Sequence, residues 1–365
     1  MRKIVVETSI ISNPYVGVGE FCLNLGEHLA KKTNELKEKY DVELYFIVPK
    51  GKVGCFGNEV SYIELKNKIQ VFWQLFWLKP DLVHLTHQYA KIKYYNRGRK
   101  CLLTVHDINF MYEKVGMKLK RYCSNFAKKI RKSTHISFIS EFAKKDTETY
   151  FSLKGKPNFV VYNGVKDLTI AEDYRPDFAT KIQSSYLFHI SSLLPKKNVH
   201  LLVKMMDYLP EFQLVIVGNW SSNYAKELLQ QIEKSQHQNI LSLNNISTQD
   251  KAYLMKNCKA LVFPSECEGF GLPPIETMKF GNPVFLSTKT SLPEIGGEEA
   301  FYWEDLQPEK MAKIVKEKLS RILLYTIIPT ASSSFLRLCK SIKQYGENCF
   351  SCVNLFGIDL VVSKG

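Results

Sequence analysis

The stretch FPSECEGFGLPPIETMKFGNPV, residues 263–284, predicts a strand end, a glycine-containing turn and a helix in direct succession. The apolar run 260–265 predicts the strand, and Pro273 or Pro274 opens the helix at a position where a missing N–H costs nothing. Helix starts with bare amides bind phosphate, and glycine lets a ligand approach the backbone closely. We therefore expect an anion on the amides of the residues that form the turn: Gly269, Phe270, Gly271 and Leu272.

Two glutamates, Glu268 and Glu276, flank this turn, where a carboxylate would repel bound phosphate. The conflict is removed if the carboxylates accept hydrogen bonds from sugar hydroxyls, since an ionised carboxylate only accepts. One glutamate would hold a transferred hexose and the other a ribose, with the diphosphate between them, so the expected ligand is a nucleotide-sugar. In the alternative interpretation Glu276 complements the helix dipole and Glu268 lies on the surface.

A second element after the first strand of the C-terminal half supports the same ligand. Lys196, Lys197 and Asn198 stand at the start of a predicted helix, where a lysine can reach a diphosphate and offset the charge that grows on a leaving phosphate. The alternative for this pair of lysines is a solvated surface.

Strands and helices alternate along most of the chain, which is typical of parallel sheets covered by helices. The predicted strands of the first half are 3–10, 42–49, 81–87, 101–107, 134–140 and 158–164, and those of the second half are 185–191, 212–218, 239–243, 260–265 and 282–287. Predicted helices of the second half are 198–209, 223–235, 249–258 and 273–281. The fold class is therefore α/β, with two doubly wound, Rossmann-like domains facing across a cleft that is the natural ligand site.

An acidic stretch with a proline separates the two series of strands and predicts a linker. The expected organisation is an N-terminal domain 1–166, the linker 167–181, a C-terminal domain 182–318 and an atypical tail 319–365. The tail shows no sustained period. It is either a short helix and strand packed on the second domain or a segment with no defined fold.

Composition places the chain among folded proteins of the cytoplasm. It has 365 residues, of which 45% are hydrophobic and 24% charged, and no apolar run approaches the roughly 20 residues that cross a bilayer. Its nine cysteines are scattered through apolar contexts, as expected of reduced thiols. The pair Cys349 and Cys352 has no second pair or nearby histidine, so we expect no zinc or redox site there.

The net charge of +14 is concentrated in the first half: residues 1–180 carry 30 basic and 19 acidic residues, a balance of +11. Basic clusters at 91–100 and 118–132 are compatible with nucleic acid, an anionic membrane surface, a phosphorylated substrate or a solvated face. The aromatic run 71–79 is compatible with a membrane surface and equally with a buried helix.

ECEGFGLPPIE, residues 266–276, resembles the E-x7-E motif of retaining GT-B glycosyltransferases, particularly the family 4 (group 1) set of bacterial polysaccharide and O-antigen synthesis. The resemblance covers roughly residues 1–315. It includes YVGVGEF (15–21), TVHDINF (104–110), ISEFAKKD (139–146), VVYNGV (160–165) and the PKKN at 195–198.

The resemblance implies a role for each matching position. Glu268 would contact the sugar and Glu276 the ribose, while Lys197 would bind the diphosphate. His106 would face the sugar from the first domain. Gly17 and Gly19 would allow the first loop to close on the donor.

Two departures stand out. Many family members have an arginine five positions before the lysine, where this chain has Ser192, so Lys196 is the candidate replacement in the cationic clamp. The tail also lacks the family's usual C-terminal helix pattern, which makes a catalytically impaired relative one of the alternatives.

The resemblance implies a retaining hexosyltransferase that uses a UDP- or GDP-sugar and a glycan or polyprenyl-diphosphate-linked acceptor. With no Asp-x-Asp, neither a metal nor another cofactor is expected, and no nucleic acid partner is expected. The expected location is cytoplasmic, with the inner face of the membrane as a candidate surface.

A sugar-nucleotide epimerase or phosphorylase on the same fold is a further alternative. A glycosidase and a nucleic-acid binder are the others, and neither explains the whole set of motifs.

Overall fold

The structure, a computed structural model, describes residues 1–12, 17–90, 92, 99–183, 185–234 and 239–327, with side chains described up to residue 322. Several features of the sequence fall outside these ranges: residues 13–16 of the glycine loop, most of the basic cluster 91–100, and the tail beyond residue 327 with Cys349 and Cys352. The chain divides into two compact units between Gly164 and Val165.

The first unit is built on a parallel sheet of seven strands in the order β3-β2-β1-β4-β5-β6-β7. The strands are β1 (Arg2–Glu7), β2 (Val42–Pro49), β3 (Ser61–Leu65), β4 (Leu82–Leu85), β5 (Lys100–Val105), β6 (His135–Phe138) and β7 (Asn158–Val160). The helices are α1 (Gly17–Lys31), α2 (Thr33–Tyr40), α3 (Lys68–Leu78), α4 (Phe110–Glu113), α5 (Gly116–Lys132) and α6 (Glu141–Tyr150).

Alternation along the strands divides the core of this unit into two layers, because successive side chains point to opposite faces of a sheet. Val5 packs with the buried residues of α3 and α5, whereas its neighbours Ile4 and Val6 pack with those of α1 and α2. Helices α3 and α5 therefore cover the same face of the sheet.

The second unit has a parallel sheet of six strands in the order β10-β9-β8-β11-β12-β13. The strands are β8 (Tyr186–Ile190), β9 (Gln213–Val217), β10 (Ile240–Leu243), β11 (Ala260–Phe263), β12 (Val284–Ser287) and β13 (Phe301–Trp303). The helices are α7 (Val199–Met205), α8 (Asn223–Lys234), α9 (Thr248–Asn257), α10 (Leu272–Lys279), α11 (Leu292–Gly296) and α12 (Pro308–Ile327).

The prediction of two doubly wound α/β sheets is confirmed, and the two missed strands have a simple reason. Strand β3 is short and half polar, and β13 has only three residues, so neither shows a clear pattern. Helix α12 continues through residue 318, where the sequence pattern had become unreadable, and buries Met311, Val315 and Leu319 in the core of the second unit. Within the predicted linker, Tyr174 donates to Asp250 Oδ1 at 2.7 Å and Asp177–Lys181 forms a 3-10 helix.

The strand order reverses once in each sheet, between β1 and β4 in the first and between β8 and β11 in the second. At such a switch point the loops that follow the two strands diverge to opposite faces, which leaves a crevice at the carboxyl edge of the sheet. Among the described residues, no helix has the length and apolar character that crossing a membrane requires.

Candidate functional site

The switch point of the second sheet brings together the loops after β8 and β11, which carry most of the predicted site residues. The backbone N–H of Glu266 donates to Lys196 O at 2.8 Å. Asn198, held in the left-handed conformation with φ 53°, donates from its side chain to Pro264 O at 3.2 Å. The two loops are therefore fixed to each other by one backbone–backbone bond and one side-chain bond.

Lys197 and Glu268 form an ion pair across this switch point, between Nζ and Oε1. Their side chains are 10% and 14% exposed, so the pair is largely buried, with a small part of each side chain in contact with solvent. The lysine ammonium also lies 5.8 Å from the ring centre of Phe263, the last residue of β11. A cation and a carboxylate predicted to serve one ligand thus stand side by side.

The turn before α10 has the conformation that its glycine predicts. Gly271 has φ 106°, where side chains are strained, and a Cβ there would lie 3.0 Å from Leu292. Helix α10 begins at Leu272 with prolines at its first positions, as predicted. This turn follows Glu268 by three residues along the chain.

Glu276 lies in α10 and is 3% exposed, with Oε1 accepting from Lys251 Nζ of α9 at 2.6 Å. Lys251 was not predicted, because a contact between two helices leaves no signal in the spacing of a sequence. A ribose hydroxyl that reached Glu276 would meet a carboxylate already oriented by this lysine.

A third loop, after β12, supports the glutamate and the turn. Thr290 Oγ1 accepts from the backbone N–H of Glu268 at 3.0 Å. Ser291 Oγ donates to Phe270 O at 2.9 Å and to Glu268 O at 3.2 Å. Sequence reasoning missed both residues, although their place after a strand neighbouring β11 was a usable signal.

His189 near the end of β8 fixes the loop that carries the lysines. Its Nδ1 lies 2.8 Å from Val262 O and its Nε2 lies 2.9 Å from Ser191 Oγ, so a neutral ring donates to the carbonyl and accepts from the hydroxyl. Burial lowers the pKa of His189 to about 4, which keeps the ring neutral. Ser192, which stands where an arginine was expected, follows this anchor and is exposed.

The remaining predicted residues lie in the first unit. Gly17 is the exposed first residue of α1, and Gly19, two positions further on, is buried. His106 follows β5, is buried, and donates from Nε2 to Thr86 O at 2.9 Å, which leaves Nδ1 as an acceptor. Burial lowers the pKa of His106 to about 3, so the ring is neutral at physiological pH.

The switch point of the first sheet holds a buried polar cluster that the sequence analysis did not single out. Glu7, the last residue of β1, has a fully buried side chain, and its Oε2 lies 3.2 Å from His87 Nε2. The same carboxylate accepts from Ser9 N at 3.2 Å and from Thr86 Oγ1 at 3.3 Å. It therefore joins the loops that follow β1 and β4.

The chemistry available at the second switch point is recognition of an anion beside hydroxyl groups. Lys197 supplies a cation, Glu268 an acceptor and the turn at Gly271 a close backbone approach. Among the described residues, no group of three or more His, Cys, Asp and Glu is arranged to hold a metal ion. The expected independence from metals stays a prediction.

Two family models match the chain, one on each unit. Glycosyltransferase Family 4 matches residues 16–167 and Glycosyl transferases group 1 matches residues 171–321.

The chain is also similar to curated glycosyltransferases and to solved GT-B structures. O-antigen chain mannosyltransferase B of Escherichia coli is 23% identical over 81% of this chain and 85% of its own. O-antigen chain mannosyltransferase RfbU of Salmonella typhimurium is 26% identical over 56% of each chain.

Among solved structures, Anabaena HepE in complex with UDP and glucose superposes with a TM-score of 0.70 at 16% identity, over 97% of this chain and all of its own. WaaG, a glycosyltransferase involved in lipopolysaccharide biosynthesis, superposes with a TM-score of 0.67 at 13% identity, over 99% of this chain and all of its own. With both units matched by family models and the motif residues brought together at one switch point, the chain belongs to the GT-B glycosyltransferases of family 4, group 1.

Proposed function

We propose that this glycosyltransferase moves a hexose, with mannose as the first candidate, from a nucleotide-sugar to a hydroxyl of a glycan or lipid-linked oligosaccharide, with retention of the anomeric configuration. The observation that carries the proposal is the Lys197–Glu268 pair beside the left-handed turn at Gly271. It combines a cation for a diphosphate with an acceptor for sugar hydroxyls at the switch point where open α/β sheets bind ligands.

In this proposal the bound donor breaks the ion pair between Lys197 and Glu268 and contacts both side chains. The diphosphate replaces Glu268 as the partner of Lys197, and Glu268 then accepts from hydroxyls of the hexose. Lys196 and the backbone from Gly269 to Leu272 complete the diphosphate site, with Ser192 at its rim. Glu276 would receive the ribose, with Lys251 orienting its carboxylate.

The reaction breaks the bond between the anomeric carbon and the diphosphate oxygen and forms a bond from that carbon to the acceptor oxygen on the same face. The acceptor proton passes to the departing phosphate oxygen. Lys197 would stabilise the charge that develops on the leaving group, and a fixed cation of this kind is worth about 10²–10³ in turnover. His106, neutral and with Nδ1 as acceptor, would bind a sugar hydroxyl.

Two findings support the choice of substrates. The curated relatives that match over the largest shares of the chain are named mannosyltransferases of O-antigen chains. A structure with the same fold holds UDP and glucose. We infer that the product belongs to O-antigen or a comparable cell-surface polysaccharide, and that the acceptor is carried on a polyprenyl diphosphate at the inner face of the membrane.

The proposal includes a reaction without a metal, in which Lys197 and the helix start do the work that a magnesium ion does in other transferases. Transfer should therefore continue at an unchanged rate in excess EDTA. A rate that falls in EDTA and returns with Mg²⁺ or Mn²⁺ would contradict this part of the proposal.

A donor screen tests the function directly. UDP- and GDP-hexoses are compared for thermal stabilisation of the chain and for hydrolysis in the absence of acceptor, with the free nucleotides as reference. We expect one nucleotide series to stabilise the chain and one hexose of that series to be hydrolysed slowly. Stabilisation by none of them would count against the proposed function, and interconversion of the sugar would favour the epimerase alternative.

A further inference from the structure

Helix α3 carries an apolar stripe that is half to largely exposed among the described residues. It buries Val71 and Leu75 in the core. On the other side Ile69, Trp73 and Trp77 are 72%, 50% and 72% exposed, spaced four residues apart and therefore on one side of the helix. The interpretation of this run as a buried helix is wrong for both tryptophans.

The ring contacts along the helix keep this stripe in place. Trp73 and Trp77 both pack edge-on against Phe76, at centroid distances of 5.6 and 5.4 Å. Aromatic rings fixed in this way lose little conformational freedom when they bind to another surface. Tryptophan is also a side chain enriched at membrane–water interfaces.

Helix α5 is strongly basic and carries no acidic residue. Its seven cations are Lys118, Lys120, Arg121, Lys128, Lys129, Arg131 and Lys132, and all but Lys129 are exposed. At its start Val115 and Met117 are 82% and 87% exposed. The helix therefore combines exposed apolar tips with a dense positive charge.

A cavity of about 810 Å³ lies beside α5 and has the same chemistry. Its aromatic lining comes from Tyr89, Phe110, Tyr122 and Phe126, and its charged lining from α5 cations such as Arg121 and Lys128. Among the described residues that line it, none is a carboxylate. A phosphate that entered would meet cations above an apolar floor.

The outer sides of α3 and α5 face the same way, because the two helices pack their buried residues into one core cluster on one face of the first sheet. We propose that the outer side of this helical layer, here called the α3–α5 face, docks on the surface of a bilayer that contains anionic lipids. The tryptophans enter the interface, and the α5 cations bind lipid phosphates. Charge complementarity selects this occupant, since each cation near an anionic surface contributes about a fivefold gain in binding. The inference deepens the membrane part of the proposed function and rests on it.

The test is flotation of the full chain with vesicles of phosphatidylcholine alone and of phosphatidylcholine mixed with phosphatidylglycerol. We expect binding to the mixed vesicles only, and binding that weakens as salt is raised. Changing Lys120, Arg121, Lys128 and Arg131 to Gln should weaken vesicle binding by about 600-fold, since each cation contributes about fivefold. The matched control should leave vesicle binding unchanged. It replaces four exposed cations of the second unit by Gln: Lys226, Lys234, Lys256 and Lys313.

A second variant tests the aromatic part. Changing Trp73 and Trp77 to Gln should weaken vesicle binding by about tenfold or more, while Tyr208→Gln, at a 44% exposed position of the second unit, should not. Lipids with brominated acyl chains should quench the fluorescence of the wild type and not that of the Trp73→Phe, Trp77→Phe variant, which keeps Trp220 and Trp303 of the second unit.

Two outcomes would overturn the inference. One is that the chain binds neutral and anionic vesicles equally well, or that the variants bind the anionic vesicles as well as the wild type does. The other is self-association that the tryptophan change abolishes while vesicle binding persists, which would make the α3–α5 face an interface between proteins. Nucleotide-sugar hydrolysis is measured on the same samples, so loss of docking with intact hydrolysis separates the docking inference from the proposed activity.

Discussion

The two switch points have the same strand topology, but their charged pairs differ in how much of each side chain is exposed. In the first sheet the loops after β1 and β4 meet at Glu7 and His87, whose side chains are 0% and 5% exposed. In the second the loops after β8 and β11 meet at Lys197 and Glu268, whose side chains are 10% and 14% exposed. The first pair is almost fully enclosed by protein, whereas the second keeps a small solvent-exposed area.

The partners of each carboxylate sharpen the contrast. Glu7 receives donors from Ser9, Thr86 and His87, all within the first unit, and these connect two loops. The side chain of Glu268 faces one lysine, which a diphosphate can also bind. A buried charge that loses its partner is costly, whereas in the proposed function Lys197 would exchange one anionic partner for another and would stay paired. The same crevice therefore holds an internal clamp in one unit and the proposed binding site in the other.

The largest expected effect comes from Lys197→Ala. We expect transfer to slow by about 10²–10³, because the leaving diphosphate loses its cation, and the free energy of unfolding to fall by about 1–3 kcal/mol, because Glu268 loses a largely buried partner. Turnover and urea unfolding of the same preparation provide the two values. Lys204→Ala, an exposed lysine of α7 in the same unit, is the control and should behave as wild type. If the Lys197→Ala protein kept full activity, the Lys197–Glu268 pair would be structural like the Glu7–His87 pair, and the contrast between the two switch points would be lost.

Glu7→Ala should show the reverse pattern. Removing the carboxylate leaves buried donors without an acceptor, so we expect the free energy of unfolding to fall by about 3 kcal/mol. The second unit should still bind the donor nucleotide with unchanged affinity. Glu268→Ala is the comparison, with a small loss of stability and a large loss of turnover. A stable Glu7→Ala protein would show that this cluster is not a clamp.

The smallest effect is a dependence on pH. Burial acts to raise the pKa of Glu7. The hydrogen bond and the charge of His87, together with two hydrogen bonds from Ser9, outweigh this effect and lower the pKa below its ordinary value of 4.5. A carboxyl with a lowered pKa adds stability above its unfolded value, and this stability is lost as pH falls through the folded value.

The difference in unfolding free energy between the wild type and Glu7→Gln should therefore narrow as pH falls below 4.5. Urea unfolding at a series of pH values between neutral and acid measures it. A difference that stays constant over this range would show that the charge of Glu7 adds nothing.

How much the sequence foretells depends on the distance between the partners and on the type of element. Lys197 and Glu268 are 71 positions apart, yet both follow strands, and strands adjacent at a switch point bring their loops together. Glu276 and Lys251 lie on two helices whose packing no spacing rule predicts. Glu7 and His87 each look like an ordinary polar residue at a strand end, so nothing marked them as a pair.

Helix α3 shows a different limit. Its apolar residues occur all round the helix, so the sequence pattern does not show which side is buried. Only the fold shows that Val71 and Leu75 take the core and that Trp73 and Trp77 are left outside. The helix has more apolar residues than one buried side can hold, and this excess was the signal that some of them would be exposed.

The order of the strands in the two sheets has a consequence for biosynthesis. All seven strands of the first sheet come from residues 2–160, and all six of the second come from residues 186–303. The ribosome therefore releases every strand of the first sheet before it begins the second, and each sheet can close without waiting for a strand from the other. Domains built from contiguous segments generally fold as units during synthesis, the N-terminal one first. We expect a damaged clamp at Glu7 to expose a nascent chain to aggregation early in translation.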